Sequence, residues 1–270
     1  MPGEAKPKVQ LVGIDCAVDA RKVGLASGSV ENGRAVVKEI TAPRSLEDLV
    51  ENAAAVVRES PASLIALDAP LGWPLGLAQA MARHSAGDPL GCTAHEMARR
   101  RTDDVVCREL GRRPLDVGAD RIARTAHAAL ELLAKVRARA EVDVPLAWTP
   151  GVIRGAAAIE VYPAGTLASR GLDPRGYKKG PAARNARARL TQAVRAELEL
   201  SEQVAQAMVG SDHALDAALC VLAAADFLRR DVLEPEDDAR ARREGWIWVR
   251  PRRDGHSNKA FGPSKTRGSS

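Results

Sequence analysis

Val9-Gln-Leu-Val-Gly-Ile-Asp15 and Leu64-Ile-Ala-Leu-Asp68 are two apolar runs, each closed by an aspartate. The first opens a segment, 8–40, that reads as three strands. These are 9–17, then 23–29 beyond the charged turn Asp19-Ala-Arg-Lys22, then 35–40 beyond Glu31-Asn-Gly33. Asn-Gly between apolar runs is a strong hairpin signal. Ser45 is placed as an N-cap with Asp48 three residues on. Leu46, Leu49, Ala53, Val56 and Val57 carry helical spacing over 46–58 until Pro61. The short run 64–67 has the character of a buried parallel strand. A right-handed crossover sets that strand beside 9–15. In open α/β sheets ligands gather outside the carboxyl ends of the strands. Asp15 and Asp68 are therefore expected to be neighbours in an α/β fold.

The rest of the chain is mostly helical in pattern. Helices are expected over 75–84, 93–110, 120–139, 182–208 and 212–230, with a fifth strand at 157–162 stopped by Pro163 and a short strand at 246–249. In the third of these helices Ile122, Ala126, Ala129, Leu130, Leu133 and Val136 share one face. The block 75–145 reads as a helical insertion between the fourth and fifth strands. One domain over 8–249 is expected, with a flexible start at 1–7 and a disordered basic tail at 250–270.

The chain of 270 residues is 45% hydrophobic but only 3% aromatic, which calls for a core of helices packed through small residues. Its formal charge of +5 is matched by the 250–270 segment alone, where six cations face one aspartate. Basicity therefore does not by itself argue for a nucleic-acid partner. The four cysteines are widely spaced, form no metal-finger pattern and read as reduced thiols. No stretch is apolar enough to span a membrane or to serve as a secretory leader, so a cytoplasmic protein is expected. The sequence contains no P-loop, no Gly-x-Gly-x-x-Gly after a strand and no Gly-x-Ser-x-Gly.

The carboxylates carry the chemistry. Asp212 and Asp216 are one helical turn apart in Ser211-Asp-His-Ala-Leu-Asp-Ala217 and share a helix face with His213 in reach. A like-charged pair facing a sheet is unfavourable without a cation. Asp212 is read as an N-cap or a metal ligand, Asp216 as a ligand. Glu160 lies inside the apolar fifth strand and needs a partner, which a metal could be. Magnesium takes a few carboxylates and keeps water and phosphate oxygens as its other ligands. Two such ions can activate water against a phosphodiester. Arg101, in Arg99-Arg-Arg-Thr-Asp-Asp104, is a phosphate-binding candidate. So is the segment 170–195, where eight cations face Asp173 alone; Lys178 and Lys179 are its centre, and Tyr177 is placed to stack on a base.

Taken together, these segments resemble the domain of unknown function 429 family, described as predicted ribonuclease H-like nucleases. The resemblance is carried by Gly13-Ile-Asp-Cys-Ala17, Leu67-Asp-Ala-Pro-Leu-Gly-Trp-Pro74, Arg101-Thr-Asp103, Ile159-Glu-Val-Tyr-Pro163, Tyr177-Lys178, Asp212-His-Ala-Leu-Asp-Ala-Ala218 and Gly245-Trp-Ile-Trp-Val249. It implies a ribonuclease H-like core, a mixed five-stranded sheet with its first three strands antiparallel and helices on its faces. It also implies two Mg2+ or Mn2+ ions held by Asp15, Asp68 and Asp216, with Asp212 beside them and Glu160 in support. The reaction implied is hydrolysis of DNA or RNA phosphodiesters. Substrate contacts would come from Arg101, Tyr177, Lys178, Lys179 and His213. The pattern His213-x-x-Asp216-Ala217 is also similar to the last motif of Holliday-junction resolvase-type nucleases, although the aspartates here are spaced by four. The alternatives are a nucleic-acid-binding module that has lost catalysis, and a phosphotransferase of the actin-like group. The latter needs two copies of the fold and Gly-rich phosphate loops.

Overall fold

The computed structural model describes residues 8–31, 33–118 and 120–252. Strands β1 (Gln10–Asp15), β2 (Gly24–Glu31) and β3 (Arg34–Thr41) form an antiparallel meander. In β1 the side chains alternate: Leu11 enters one core, Val12 and Ile14 the other. Helix α1 (Leu46–Glu59) starts where expected, with Ser45 Oγ accepting from the Asp48 N–H at 3.1 Å. It buries Leu49, Val50, Ala53, Ala54 and Val57. Each buried Leu or Val there contributes roughly 1.5–3 kcal/mol. The chain returns as β4 (Ala62–Asp68), parallel to β1 and in a register that sets Asp15 opposite Asp68.

Four helices follow: α2 (Leu75–Met81), α3 (Ala94–Ala98), α4 (Arg101–Leu110) and α5 (Asp120–Ala140). The single helix expected over 93–110 is two. Arg99 and Arg100 are extended between them. The break turns Arg100 inward, where it is 1% exposed and meets Asp103 and Glu160. β5 (Gly155–Glu160) then adds to the sheet parallel to β4.

The remaining elements are α6 (Pro163–Ala168), α7 (Ala183–Val194), β6 (Leu198–Leu200), α8 (Glu202–Gly210), α9 (Asp212–Leu228) and α10 (Asp238–Glu244). The helix expected over 182–208 is therefore interrupted. Leu198-Glu-Leu200 pairs in parallel with β3 and makes a sixth strand, and Ser201 restarts the chain as the cap of α8. The sheet order is β5-β4-β1-β2-β3-β6, six strands where five were expected. The strand expected at 246–249 is reduced to an isolated bridge between Glu160 and Ile247. Arg250, assigned above to the tail, is buried and paired with Glu197 and Asp231. The rest of that expected tail from 253, and the expected flexible start at 1–7, lie outside the described residues. Among the described residues no helix is long and apolar enough to cross a membrane.

Helices cover both faces of the sheet. α1 and α5 pack on the face formed by Val12, Ile14, Leu25, Ile65 and Leu67. α9 lies on the other face with α7 and α8 beside it. α9 is buried along nearly its whole length and is rich in alanine. The sheet under it is equally bare. A Cβ at Gly13 would come 2.2 Å from the Ala217 carbonyl oxygen, and one at Gly24 would come 2.1 Å from that of His213. Small residues on both sides let helix and sheet backbones touch, and that contact carries Asp216 down to the strand ends.

Candidate metal centre

Asp15 and Asp68 follow the alternation of their strands. Leu11 and Gly13 face α9, and so does Asp15 two residues on; Leu64 and Ala66 likewise lead to Asp68. From the helix side, Asp216 occupies the second turn of α9. One carboxylate oxygen from each of Asp15, Asp68 and Asp216 lies within 4.8 Å of the others. Asp15 is 7% and Asp216 1% exposed, whereas Asp68 keeps more contact with solvent.

Three carboxylates at this spacing repel one another, and the surrounding groups show how the charge is managed. Burial, then Asp15 and Asp216, pushes the Asp68 carboxyl well above the usual carboxylate range. Burial also pushes Asp216 up to about 6 and outweighs the opposing pull of Lys178. Asp216 Oδ1 accepts a hydrogen bond from the Tyr177 hydroxyl at 2.7 Å, and the Lys178 ammonium lies 2.7 Å from Oδ2. Burial works against the charge of Lys178, but Asp216 and Asp68 outweigh it and raise its pKa. His213 Nδ1 is 2.6 Å from Asp15 Oδ2, a hydrogen bond that raises the imidazole pKa above its ordinary value.

The other candidate residues divide. Asp212 is the first residue of α9 and is not in the cluster; Ser211 is the cap, its Oγ accepting from the Ala214 N–H. Glu160 has the partner it needed, but that partner is Arg100. The two side chains meet through a pair of hydrogen bonds at 2.8 and 2.9 Å, and Glu160 Oε2 also accepts from the Leu71 N–H. Burial raises the Glu160 pKa against the pull of Arg100. Glu160 is also out of phase with the cluster, since Ala157 and Ile159 take the α9 face of β5. Arg101 pairs with Glu236.

The segment 170–195 is not one basic surface. Arg170 is buried against Asp226 and Glu197. Arg187 donates to the carbonyls of Tyr177, Val209 and Gly210. Arg175 pairs with Asp173 and Arg195 with Glu202. Tyr177 is 1% exposed, so its ring is not available to stack on a base. Lys179, Arg184 and Arg189 remain exposed. Arg100 was missed by sequence reading, as was the role of Tyr177 and Lys178 as partners of Asp216. The sequence signals for the latter were their adjacency in a basic loop and their place among the segments that carry the family resemblance.

Past Asp15, Cys16 and Ala17 form one wall of a cleft of about 540 Å3 lined by Leu46, Leu49, Trp73 and Leu132. Its surface is mostly apolar and supplies no further carboxylate from β1 or β4. Cys220 lies beneath the cluster with its Sγ toward the Ile14 carbonyl oxygen, and burial raises its thiol pKa.

A family model described as "Protein of unknown function (DUF429)" matches residues 13–240, a span that includes all three clustered aspartates. No curated protein matches the chain.

Proposed function

The chain belongs to the DUF429 family, and we propose that it is a metal-dependent nuclease whose acidic centre is built on a ribonuclease H-like sheet. The observation that carries this reading is the convergence of Asp15, Asp68 and Asp216 from two adjacent strands and a distant helix. The antiparallel meander β1–β3 followed by parallel β4 and β5 supports the fold assignment. The donor set is all carboxylate oxygen, which suits Mg2+ or Mn2+. Asp216 Oδ2 is consistent with this chemistry: it is buried and already faces a cation, the Lys178 ammonium at 2.7 Å. A bound divalent ion supplies Lewis acidity and lowers the pKa of water.

The chain's own residues do the rest. Asp15, Asp68 and Asp216 would hold the ion. His213 fixes the orientation of Asp15, and Tyr177 that of Asp216. Lys179, Arg184 and Arg189 are exposed and available to phosphates of a DNA or RNA backbone. Glu160 supports the site indirectly, by holding the 70–71 turn against Arg100.

The test is incubation with labelled single-stranded, duplex and branched DNA and with RNA, in Mn2+ or in EDTA. Cleavage that requires the metal and is lost in Asp15→Asn is the expected result. Absence of cleavage on every substrate, together with no calorimetric metal binding, would sink the reading. Nucleic-acid binding without cleavage would point instead to the catalytically inactive module.

A further inference from the structure

We propose that the Lys178 ammonium is a resident cation of the acidic centre, standing where a second divalent ion would be drawn, so that the triad takes one ion and not two. This inference rests on the metal-binding reading of the triad and adds to it the number of ions.

Both oxygens of Asp216 are already engaged. Tyr177 donates to Oδ1 at 2.7 Å, and Lys178 Nζ is 2.7 Å from Oδ2. Asp216 is 1% exposed, and the ammonium is what answers the charge on its Oδ2. The Lys178 stem is half exposed, yet its head reaches into a buried site.

The reach is built into the chain. The Tyr177 carbonyl accepts from Arg187 Nη1 at 2.7 Å, and the same guanidinium binds the carbonyls of Val209 and Gly210, just before α9 begins. One arginine thus ties the Tyr177-Lys178 pair to the helix that carries Asp216.

The charge and the space agree. A magnesium ion on Oδ2 would sit about 2.1 Å from that oxygen. It would then lie no more than about 5 Å from Nζ, where a divalent ion and an ammonium repel. One divalent ion and one ammonium balance three carboxylates. Two divalent ions with the ammonium in place leave a surplus of two positive charges. The ion then belongs on the Asp15 and Asp68 side, where Asp216 Oδ1 keeps a second lone pair beside the one that accepts from Tyr177.

The experiment is Mn2+ titration of the full chain by calorimetry, with bound ions counted by electron paramagnetic resonance. Wild type, Lys178→Met, Lys178→Gln and the neighbouring control Lys179→Met are compared, each first melted in EDTA to show that it is folded. The expected result is one ion per chain in wild type and Lys179→Met, and two in both Lys178 variants. Two ions in wild type, or one in the folded Lys178 variants, overturns the inference and leaves the metal reading standing. No ion in wild type overturns both.

Discussion

Asp15 and Asp68 are register partners across the parallel pair β1–β4, so two carboxylates that the sequence separates by a hairpin and a helix end side by side. Nothing in either strand requires an acid there. The strands close at those residues, and the α9 face receives both side chains. Asp216 reaches them only because α9 lies directly on Gly13 and Gly24. The centre is thus positioned by close backbone packing, with the ligands fixed by strand register and helix phase.

The packing can be tested away from the ligands. In Gly24→Ala the new Cβ would meet the His213 carbonyl oxygen and carbon, both backbone atoms that cannot swing aside. Overpacking of this kind costs about 1–3 kcal/mol. The start of α9 should shift, separating His213 from Asp15. Denaturant melts should show the loss of stability, and calorimetry should show weakened Mn2+ binding although no ligand has changed. Wild-type affinity in a destabilised Gly24→Ala protein would refute the link between helix seating and the centre.

Glu160→Gln separates a structural from a metal-binding acid. The substitution leaves the Arg100 guanidinium buried with one carboxylate fewer, a defect expected to cost about 3–5 kcal/mol. Urea unfolding should record that cost, while the folded variant binds Mn2+ as wild type does. A loss of metal binding at unchanged stability would put Glu160 in the centre after all.

Much of this was legible in the sequence, and the failures have physical causes. The strand ends at Asp15 and Asp68 and the turn spacing of Asp216 were readable because strand alternation and helix phase are local properties. Glu160 was recognised as needing a partner, but Arg100 lies in another element and no local pattern joins them. The alternation of Ala157 and Ile159 did hold the clue that Glu160 faces away from α9. β6 was missed because Leu198-Glu-Leu200 is too short to show a period between two helix-forming stretches. Tyr177 and Lys178 read as part of a basic surface, since sequence records their charge and not which way the loop turns.

The helix start distinguishes the two acids of α9. Ser211 is the cap and Asp212 the first helical residue, so Ser211→Ala should cost about 0.5–1 kcal/mol, at the low end for a cap because its contact with the Ala214 N–H is 3.4 Å. Asp212→Asn should leave Mn2+ affinity within about twofold, whereas Asp216→Asn should lower it by about tenfold or more, a cost near 1.4 kcal/mol. Calorimetry on the two variants decides between them; equal losses would bring Asp212 back into the ligand set.

The metal-free protein should be less stable at pH 8 than near pH 5.5, and the sign follows from the centre. Asp216 is pushed up to about 6 by burial, against roughly 3.9 for an unfolded aspartate. The folded state therefore holds this proton more tightly than the unfolded state, and stability falls as pH rises from about 4 through 6. For Asp216 alone the loss is on the order of 2–3 kcal/mol. Asp68, also raised by burial and by Asp15, acts in the same direction. His213 is raised by its hydrogen bond to Asp15, so its contribution is present below about 6.5 and is lost as pH rises through its folded value. Urea melts in EDTA at pH 4.5, 5.5, 7 and 8.5 should show the decline, and Asp216→Asn should reduce it. Saturating Mn2+ should reverse it, because the ion replaces the protons that the folded centre otherwise retains and binds better as they leave. A metal-free protein whose stability rises across this range would mean that the carboxylates are not crowded together in solution.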